Sequence, residues 1–532
     1  MKNPVFWSIF PLALVLPACR QAGEKPSCPN IIYIMTDDHS FQTLSAYGHP
    51  ISRLAPTPNL DRLAAEGMLF RQAFVENSIS APSRATLLTG MYSHHHRQTT
   101  LQYGIMDSTL TYFPELLQQA GYQTALFGKW HLSVTPKGFD HYDIFWDQGE
   151  YYNPVMRTEE TGGKYVMQPG YATEIVTDHA LAWIDAHKDA GKPFCVLLHH
   201  KAPHRNWMPA LEDLELYEDV VFPEPTTLRD DYSTRGEQMR QQQLTLSDDM
   251  GYAFDFKVPE LLEEPQHPYI KASWFAAMAS FTPAQRAVWD STYARMNASF
   301  LADRPQGDAL LRWKYQRYIH DYCRTIHKVD QQVGRVLDYL DRNGMRENTI
   351  VIYTSDQGFY MGEHGLYDKR FMYEEALRTP LLVRWCGHVA PGSVCDDMVQ
   401  NIDNAPTLLD LAGVPVPAEM DGVSYKPILQ GKTPERWRQE IYYQYYDFPA
   451  VGNVRKHYGI RTRRYKLIHW LDEECGGLPA IDSWELYDLQ ENPEETRNVY
   501  DAPDYRAVRE ELTVRLRALA DSVGASPAGP VL

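Results

Sequence analysis

Three short apolar runs, each ending in polar residues on its C-terminal side, organise the chain. Residues 29–35 are largely apolar and β-branched and lead into Asp37-Asp38, and residues 193–199 and Thr349–Ser355 repeat the pattern, the last running into Asp356-Gln357. Continuous apolar runs of this length read as strands buried on both faces, not as the alternating strands of a half-solvated sheet. Between them, helical spacing of apolar residues predicts helices over 57–67, 113–121 and 315–344. Strands alternating with helices predict an α/β fold in which a large, mostly parallel central sheet is flanked by helices. Sheets of this kind gather ligands at the carboxyl ends of their strands.

The pattern changes after about residue 434. Residues 440–446, 458–461 and 465–470 look like antiparallel strands, and 506–523 like a closing helix that stops before Gly524. This predicts a smaller C-terminal α+β subdomain at 434–532, with an antiparallel sheet, behind a main domain at 27–433. Within the main domain the stretch 205–305 carries many acidic, glutamine, methionine and aromatic residues and few strand signals. It reads as a long insertion that either shapes a substrate pocket or is a solvated helical excursion.

Composition narrows the function. At 532 residues the chain exceeds what one hydrophobic core usually serves, and 44% hydrophobic with 23% charged residues is globular composition. A formal net charge of -18 argues against nucleic acid as a partner, since such proteins concentrate Lys and Arg. Net charge describes the long-range field, however, and leaves room for a locally basic pocket. Residues 1–19 read as an export signal: Met1-Lys2-Asn3, an apolar run too short to span a bilayer, then Pro17-Ala18-Cys19. Leu16-Pro17-Ala18-Cys19 also looks like a bacterial lipobox, with Pro17 an imperfect match, so either Cys19 is lipidated or cleavage leaves no anchor. Both readings put the mature protein outside the cytoplasm, in the periplasm or attached to the outer membrane, touching membrane only through that anchor. Seven cysteines are too sparse for a disulfide framework, although Cys386 and Cys395 could pair across a loop.

The candidate chemistry starts at Ser80-Ala81-Pro82-Ser83-Arg84. This run resembles the modification signature of the type I sulfatases, members of the alkaline phosphatase superfamily. The resemblance implies an alkaline phosphatase-like sandwich and oxidation of Ser80 to Cα-formylglycine, whose hydrate is the nucleophile. An unmodified serine is weak at neutral pH unless a base, a metal or a changed functional group activates it. Asp37-Asp38 and Asp356-Gln357 offer the carboxylate and amide oxygens that a hard divalent cation takes, although Asp pairs after strands also cap helices or make turns. With the signature between them, the resemblance makes Asp37, Asp38, Asp356, Gln357 and residue 80 the ligands of one Ca²⁺.

Other segments extend the likeness. Gly128-Lys129-Trp130-His131 implies Lys129 as a sulfate contact and His131 as base, and Ala202-Pro203-His204 implies His204 as the group that helps the alcohol leave. Gly362 through Arg370 supplies Lys369, and Arg84 completes the positive lining. Fixed cations aimed at charge developing on sulfate oxygens stabilise the transition state strongly in a water-poor site. The expected activity is hydrolysis of a sulfate monoester on a sugar, after a maturase has converted Ser80. Segments 200–207 and Asp368-Lys369-Arg370 look like those of bacterial N-acetylglucosamine-6-sulfatases. That likeness suggests the 6-O-sulfate of N-acetylglucosamine, from glycosaminoglycan or mucin oligosaccharides, with Asp368, Arg370, His457 and His364 as sugar contacts.

Two rivals stand beside this reading: a phosphate or phosphonate monoester hydrolase of the same fold using unmodified Ser80, and an inactive carbohydrate-binding homologue. His94-His95-His96 reads as a loop, because contiguous side chains do not converge on a metal. Arg461, Arg463, Arg464 and Lys466 read as a solvated basic face or as a patch that guides an acidic polysaccharide.

Overall fold

The computed structural model describes residues 28–158, 161–475 and 477–525. The export-signal and lipobox residues, Cys19 included, lie outside these. Strands of the main body are β1 (Asn30–Thr36), β2 (Met68–Phe70), β3 (Ala73–Phe74), β4 (Gln123–Gly128), β5 (His141–Phe145), β6 (Val155–Arg157), β7 (Tyr165–Met167), β8 (Phe194–His199), β9 (Thr349–Ser355), β10 (Leu381–Arg384), β11 (Ser393–Cys395) and β12 (Val399–Gln400). Ten of them form one sheet in the order β11-β2-β10-β9-β1-β8-β4-β5-β6-β7, and β3 pairs with β12 beside it. The centre, β9-β1-β8-β4-β5, is parallel throughout, while β10, β6 and β7 run against their neighbours.

The three apolar runs are the three central strands, and their side chains explain why the runs are unbroken. In β1, Ile32 and Ile34 enter one buried cluster while Ile31, Tyr33 and Met35 enter another on the opposite face. In β9, Val351 and Tyr353 divide from Ile350 and Ile352 in the same way. Successive strand side chains point to opposite faces, so a strand covered on both sides must be apolar at every position. Helices Ala172–His187 and Asp308–Arg342 cover the first face; Ser80–Thr89, Phe113–Gln119 and Asn404–Leu411 cover the second. The helix Asp308–Arg342 starts seven residues before the apolar periodicity at Tyr315, because its first turns pack through Leu310, Leu311 and Trp313 against a third cluster.

The C-terminal sheet comprises β13 (Glu440–Tyr445), β14 (His457–Thr462), β15 (Tyr465–Asp472) and β16 (Ile481–Asp488), antiparallel in chain order. One face takes the helix Arg506–Ser522 through Leu512, Leu516 and Ala520. The other packs Tyr443, Ile468, Trp470 and Tyr487 onto Phe371, Met372 and Tyr373 of the main body. The small sheet therefore buttresses the segment that carries Asp368-Lys369-Arg370.

Several local expectations change. Cys386 and Cys395 are both free thiols, the latter buried at the end of β11. Strand alternation splits the basic run, burying Arg461 and Lys466 and leaving Arg463 and Arg464 of the β14–β15 turn on a solvated face, and each member has a carboxylate partner. Buried Arg461 and Lys466 share Glu374 at 3.1 and 3.0 Å, Arg463 meets Asp397 at 3.2 Å, and Arg464 meets Asp488 at 2.7 Å. The three histidines form one turn of helix and diverge: His94 meets the Val523 carbonyl, His95 meets Asp421, and His96 meets Thr86. Among the described residues, no helix is long and apolar enough to cross a membrane.

Candidate active site

Parallel register puts four strand ends side by side. Thr36 of β1 pairs with Ser355 of β9, Met35 pairs with His199 of β8, and Gly128 of β4 pairs with His199. The residues that follow each strand thus emerge at one level: Asp356-Gln357, Asp37-Asp38, Lys201 to His204, and Lys129 to His131. Gly128 makes the last approach possible. Its φ is +99°, and a Cβ there would sit 2.0 Å from the His199 carbonyl oxygen, which instead accepts from the Lys129 amide at 2.8 Å. Asp38, His131, Asp368 and Arg370 also take positive φ, the backbone strain that tends to collect where side-chain direction matters more than local comfort.

Ser80 is the first residue of the buried helix Ser80–Thr89, so its side chain sits at the positive end of the helix dipole. Its hydroxyl donates to Asp37 Oδ1 at 3.0 Å and accepts from the Gln357 amide nitrogen at 3.4 Å. One turn later on the same face, Arg84 donates to Asp356 Oδ2 at 3.0 Å and to the Lys129 carbonyl at 3.0 Å. Lys129 Nζ donates to Asp37 Oδ2, and Lys369 Nζ bonds both oxygens of Asp38 at 2.7 and 2.6 Å. Three buried carboxylates are thus interleaved with three buried cations around residue 80.

Electrostatics divides the carboxylates. Burial alone would raise Asp37, but Lys129, His204, Arg84 and Lys369 outweigh it and hold the carboxyl well below the usual range. Burial, then Asp37 and Asp356, pushes Asp38 up to about 7 despite Lys369. Asp356 is likewise raised, by burial and then by Asp37.

The donor set fits a hard divalent cation. Asp37, Asp38 and His204 present ligand atoms within 4.8 Å of one another, and Gln357 Oε1 is buried without a hydrogen-bond partner among the described residues. A cation there would relieve the carboxylate crowding that raises Asp38, and oxygen donors of this kind suit calcium. Asp356 stands just outside the tightest group, held by Arg84 and by the Asp38 amide at 3.1 Å.

A cavity of about 480 Å³ opens onto part of this site. Ser80, His131, His204, Asp368, Lys369 and Arg370 line it. His204 Nδ1 lies 2.7 Å from the Arg205 carbonyl and must carry the hydrogen, so Nε2 is the nitrogen free to exchange a proton; it lies 3.7 Å from Asp38. His131 Nε2 accepts from the Gln148 amide at 2.8 Å. Burial, with Lys129 nearby, lowers both imidazoles well below their ordinary pKa, so both rest neutral. Arg370 is fixed by Asp368 at 2.8 Å and by the Tyr445 hydroxyl at 3.1 Å, and its carbonyl accepts from Tyr443 at 2.6 Å.

Two expected sugar contacts are elsewhere. His457 pairs in register with Tyr445 and Trp470 inside the C-terminal sheet, its ring 4.1 Å from that of Trp470 and its Nδ1 2.8 Å from the Arg455 carbonyl. His364 is enclosed with Asp230 at 2.8 Å and Arg235 at 3.3 Å. Neither borders the cavity, because strand alternation turns the first inward and a chain segment from the insertion covers the second. The insertion does reach the cavity, through Phe254, Tyr269 and Ser273. Sequence reading missed these, together with the loop Trp146 to Tyr151 and Lys201. Only Lys201 had a local signal, two residues beyond a buried strand.

Comparison with known proteins agrees with this geometry. The model of the family described as Sulfatase matches residues 29–414, and that described as N-sulphoglucosamine sulphohydrolase, C-terminal, matches 362–522. A protein of Bacteroides thetaiotaomicron named N-acetylglucosamine-6-O-sulfatase is 42% identical over 525 residues, covering 96% of this chain and 90% of the relative. The goat (Capra hircus) N-acetylglucosamine-6-sulfatase is 26% identical, covering 80% of this chain and 67% of its own. A solved structure of a protein in complex with its substrate D-glucosamine-2-N,6-O-disulfate superposes with a TM-score of 0.87 at 42% identity, covering 94% of this chain and 98% of that one.

Proposed function

The chain belongs to the sulfatase family and is a sulfuric ester hydrolase, and on that footing we propose that it removes the 6-O-sulfate of N-acetylglucosamine or a related glucosamine. The family has the alkaline phosphatase-like fold described above. The substrate reading is supported by the 42% identical relative and by the glucosamine disulfate bound in the similar structure. The observation that carries the chemistry is the buried hydrogen-bonded cluster of Ser80 with Asp37, Asp38, Lys129, Lys369 and Arg84, which meets the cavity through Ser80 and Lys369.

In this proposal Ser80 is oxidised to formylglycine by a maturase, and Asp37, Asp38, Asp356, Gln357 and residue 80 hold one Ca²⁺. When present, the hydrated aldehyde supplies a nucleophile and the metal a Lewis acid that favours its ionised form. The chain's own residues do the rest. Lys129, Lys369 and Arg84 bring fixed positive charge to the sulfate oxygens, where charge grows as the ester bond breaks. His131, neutral at rest, can accept a proton at Nε2 once the Gln148 amide that donates to that nitrogen turns aside. His204 exchanges a proton at Nε2 with the ester oxygen; an anionic substrate raises its proton affinity, so that it can donate to the departing sugar hydroxyl. Asp368 and Arg370, already bonded to each other on the cavity wall, are placed to take sugar hydroxyls. We further propose export and lipidation at Cys19.

The test has two parts. Intact-peptide mass spectrometry should find residue 80 short of two hydrogens after coexpression with a serine-type maturase. That protein should then release sulfate from 6-sulfated N-acetylglucosamine faster than from other sulfated monosaccharides and faster than phosphate from phosphate esters. Full activity with residue 80 unmodified, or faster cleavage of a different sulfate position, would defeat the corresponding part.

A further inference from the structure

We propose that Lys201 is a substrate-binding residue whose ammonium contacts an oxyanion of the sulfated sugar. This rests on the sulfate-ester reading and adds to it a cation that the family likeness did not assign. Lys201 is only 6% exposed, yet it lines the cavity. Among the described residues, no carboxylate lies within 4.0 Å of its Nζ, and Nζ makes no hydrogen bond.

Each other cation on that wall is already neutralised. Arg205 is clamped by Asp255 at 2.7 and 2.6 Å, Lys369 by Asp38, and Arg370 by Asp368. Burying a charge without a partner costs stability, so a buried, unpaired ammonium facing a cavity points to a negative group that is not part of the chain.

Its surroundings say where that group sits. Lys201 leaves the end of β8, and its carbonyl accepts from the His204 amide at 3.0 Å, so it shares a turn with a residue of the reacting centre. The ring of Tyr151 lies 5.1 Å from Nζ and leaves the cavity as its open direction. Burial, and then Lys129, pull the ammonium down to about 8 against the more distant carboxylates of Asp37, Glu150 and Asp147, which leaves it charged at neutral pH with no anion in direct contact. A sulfate or sulfamate oxyanion has the right chemistry. It can come from the scissile group or from a second anionic substituent on the same sugar.

The experiment uses full-length, residue-80-verified enzyme carrying Lys201→Gln, Lys201→Met or Lys201→Arg. Steady-state kinetics on the 6-O-sulfated and the 2-N,6-O-disulfated sugars, inhibition by inorganic sulfate, and the unfolding midpoint are measured together. KM should rise roughly 10- to 100-fold in the Gln and Met variants, with kcat within a few fold and partial recovery in the Arg variant. The midpoint should hold or rise, since an unpaired buried charge has been removed. Loss on both sugars with weaker sulfate inhibition assigns the scissile group; loss confined to the disulfated sugar assigns the second anion. Unchanged KM and sulfate inhibition in a folded Met variant overturns the proposal, as does a midpoint that falls in step with activity. Wild-type enzyme inert on both sugars defeats the substrate reading instead, while inorganic-sulfate binding still reports on Lys201.

Discussion

Replacing Lys369 with methionine should separate two roles that the geometry gives it. Its ammonium bonds both oxygens of Asp38, which is fully buried, and it also lines the cavity beside Ser80. Removing one partner of a buried ion pair strands the other charge and costs about 3–5 kcal/mol. Asp38, already pushed up to about 7, escapes part of that cost by taking a proton, so the loss should be smaller near pH 6 than near pH 8. Measured by chemical denaturation in chelator, the Lys369→Met/Asp38→Asn double variant should recover most of the stability, with a coupling of about 2–3 kcal/mol. Activity should not recover. Loss of one donor to developing charge lowers kcat by roughly 10²–10³ in the single variant, and the double variant, which also alters a proposed calcium ligand, should lose at least as much. A single variant as stable as wild type, or a double variant no more stable than the single, would refute the reasoning that Asp38 depends on this lysine.

Other expectations follow from the same site and its supports. Glu76 is buried against Ser93 and Thr86, and burial outweighs those hydrogen bonds to push it up to about 7. Its contribution is therefore full below about pH 4.5 and is lost as pH rises towards 7, roughly 3 kcal/mol in all; Glu76→Gln should flatten that slope, and superimposable pH–stability curves would count against it. His204→Ala should slow a sugar sulfate by roughly 10²–10⁴ but an aryl sulfate with a good leaving group much less, because only the sugar alcohol needs the proton; equal losses would remove His204 from that role. Calcium at about a hundred times its Kd should stabilise the protein by about 2.7 kcal/mol. Asp356→Ala should abolish that gain in calorimetry, and a variant that keeps it would show Asp356 not to be a ligand.

Local pattern was enough for the three central strands, because a strand buried on two faces announces itself as an unbroken apolar run, and for the antiparallel character of β13 to β15. Asp37, Asp38, Asp356 and Gln357 were visible as residues directly after β1 and β9, but their role and those of Lys129 and His204 were legible only through the sulfatase resemblance; parallel register is what brings them to one level. Short edge strands such as β6 and β7, with three residues each, carry too little periodicity to be seen. The choice between cavity wall and core was not local at all. His457 and His364, expected as sugar contacts, are enclosed by packing from Trp470 and Asp230, while Lys201, inside the segment 200–207 but given no role there, faces the cavity without a carboxylate in contact. Periodicity depends on neighbours a few residues away, but burial and charge pairing are decided by segments hundreds of residues apart, and only the assembled fold brings these together.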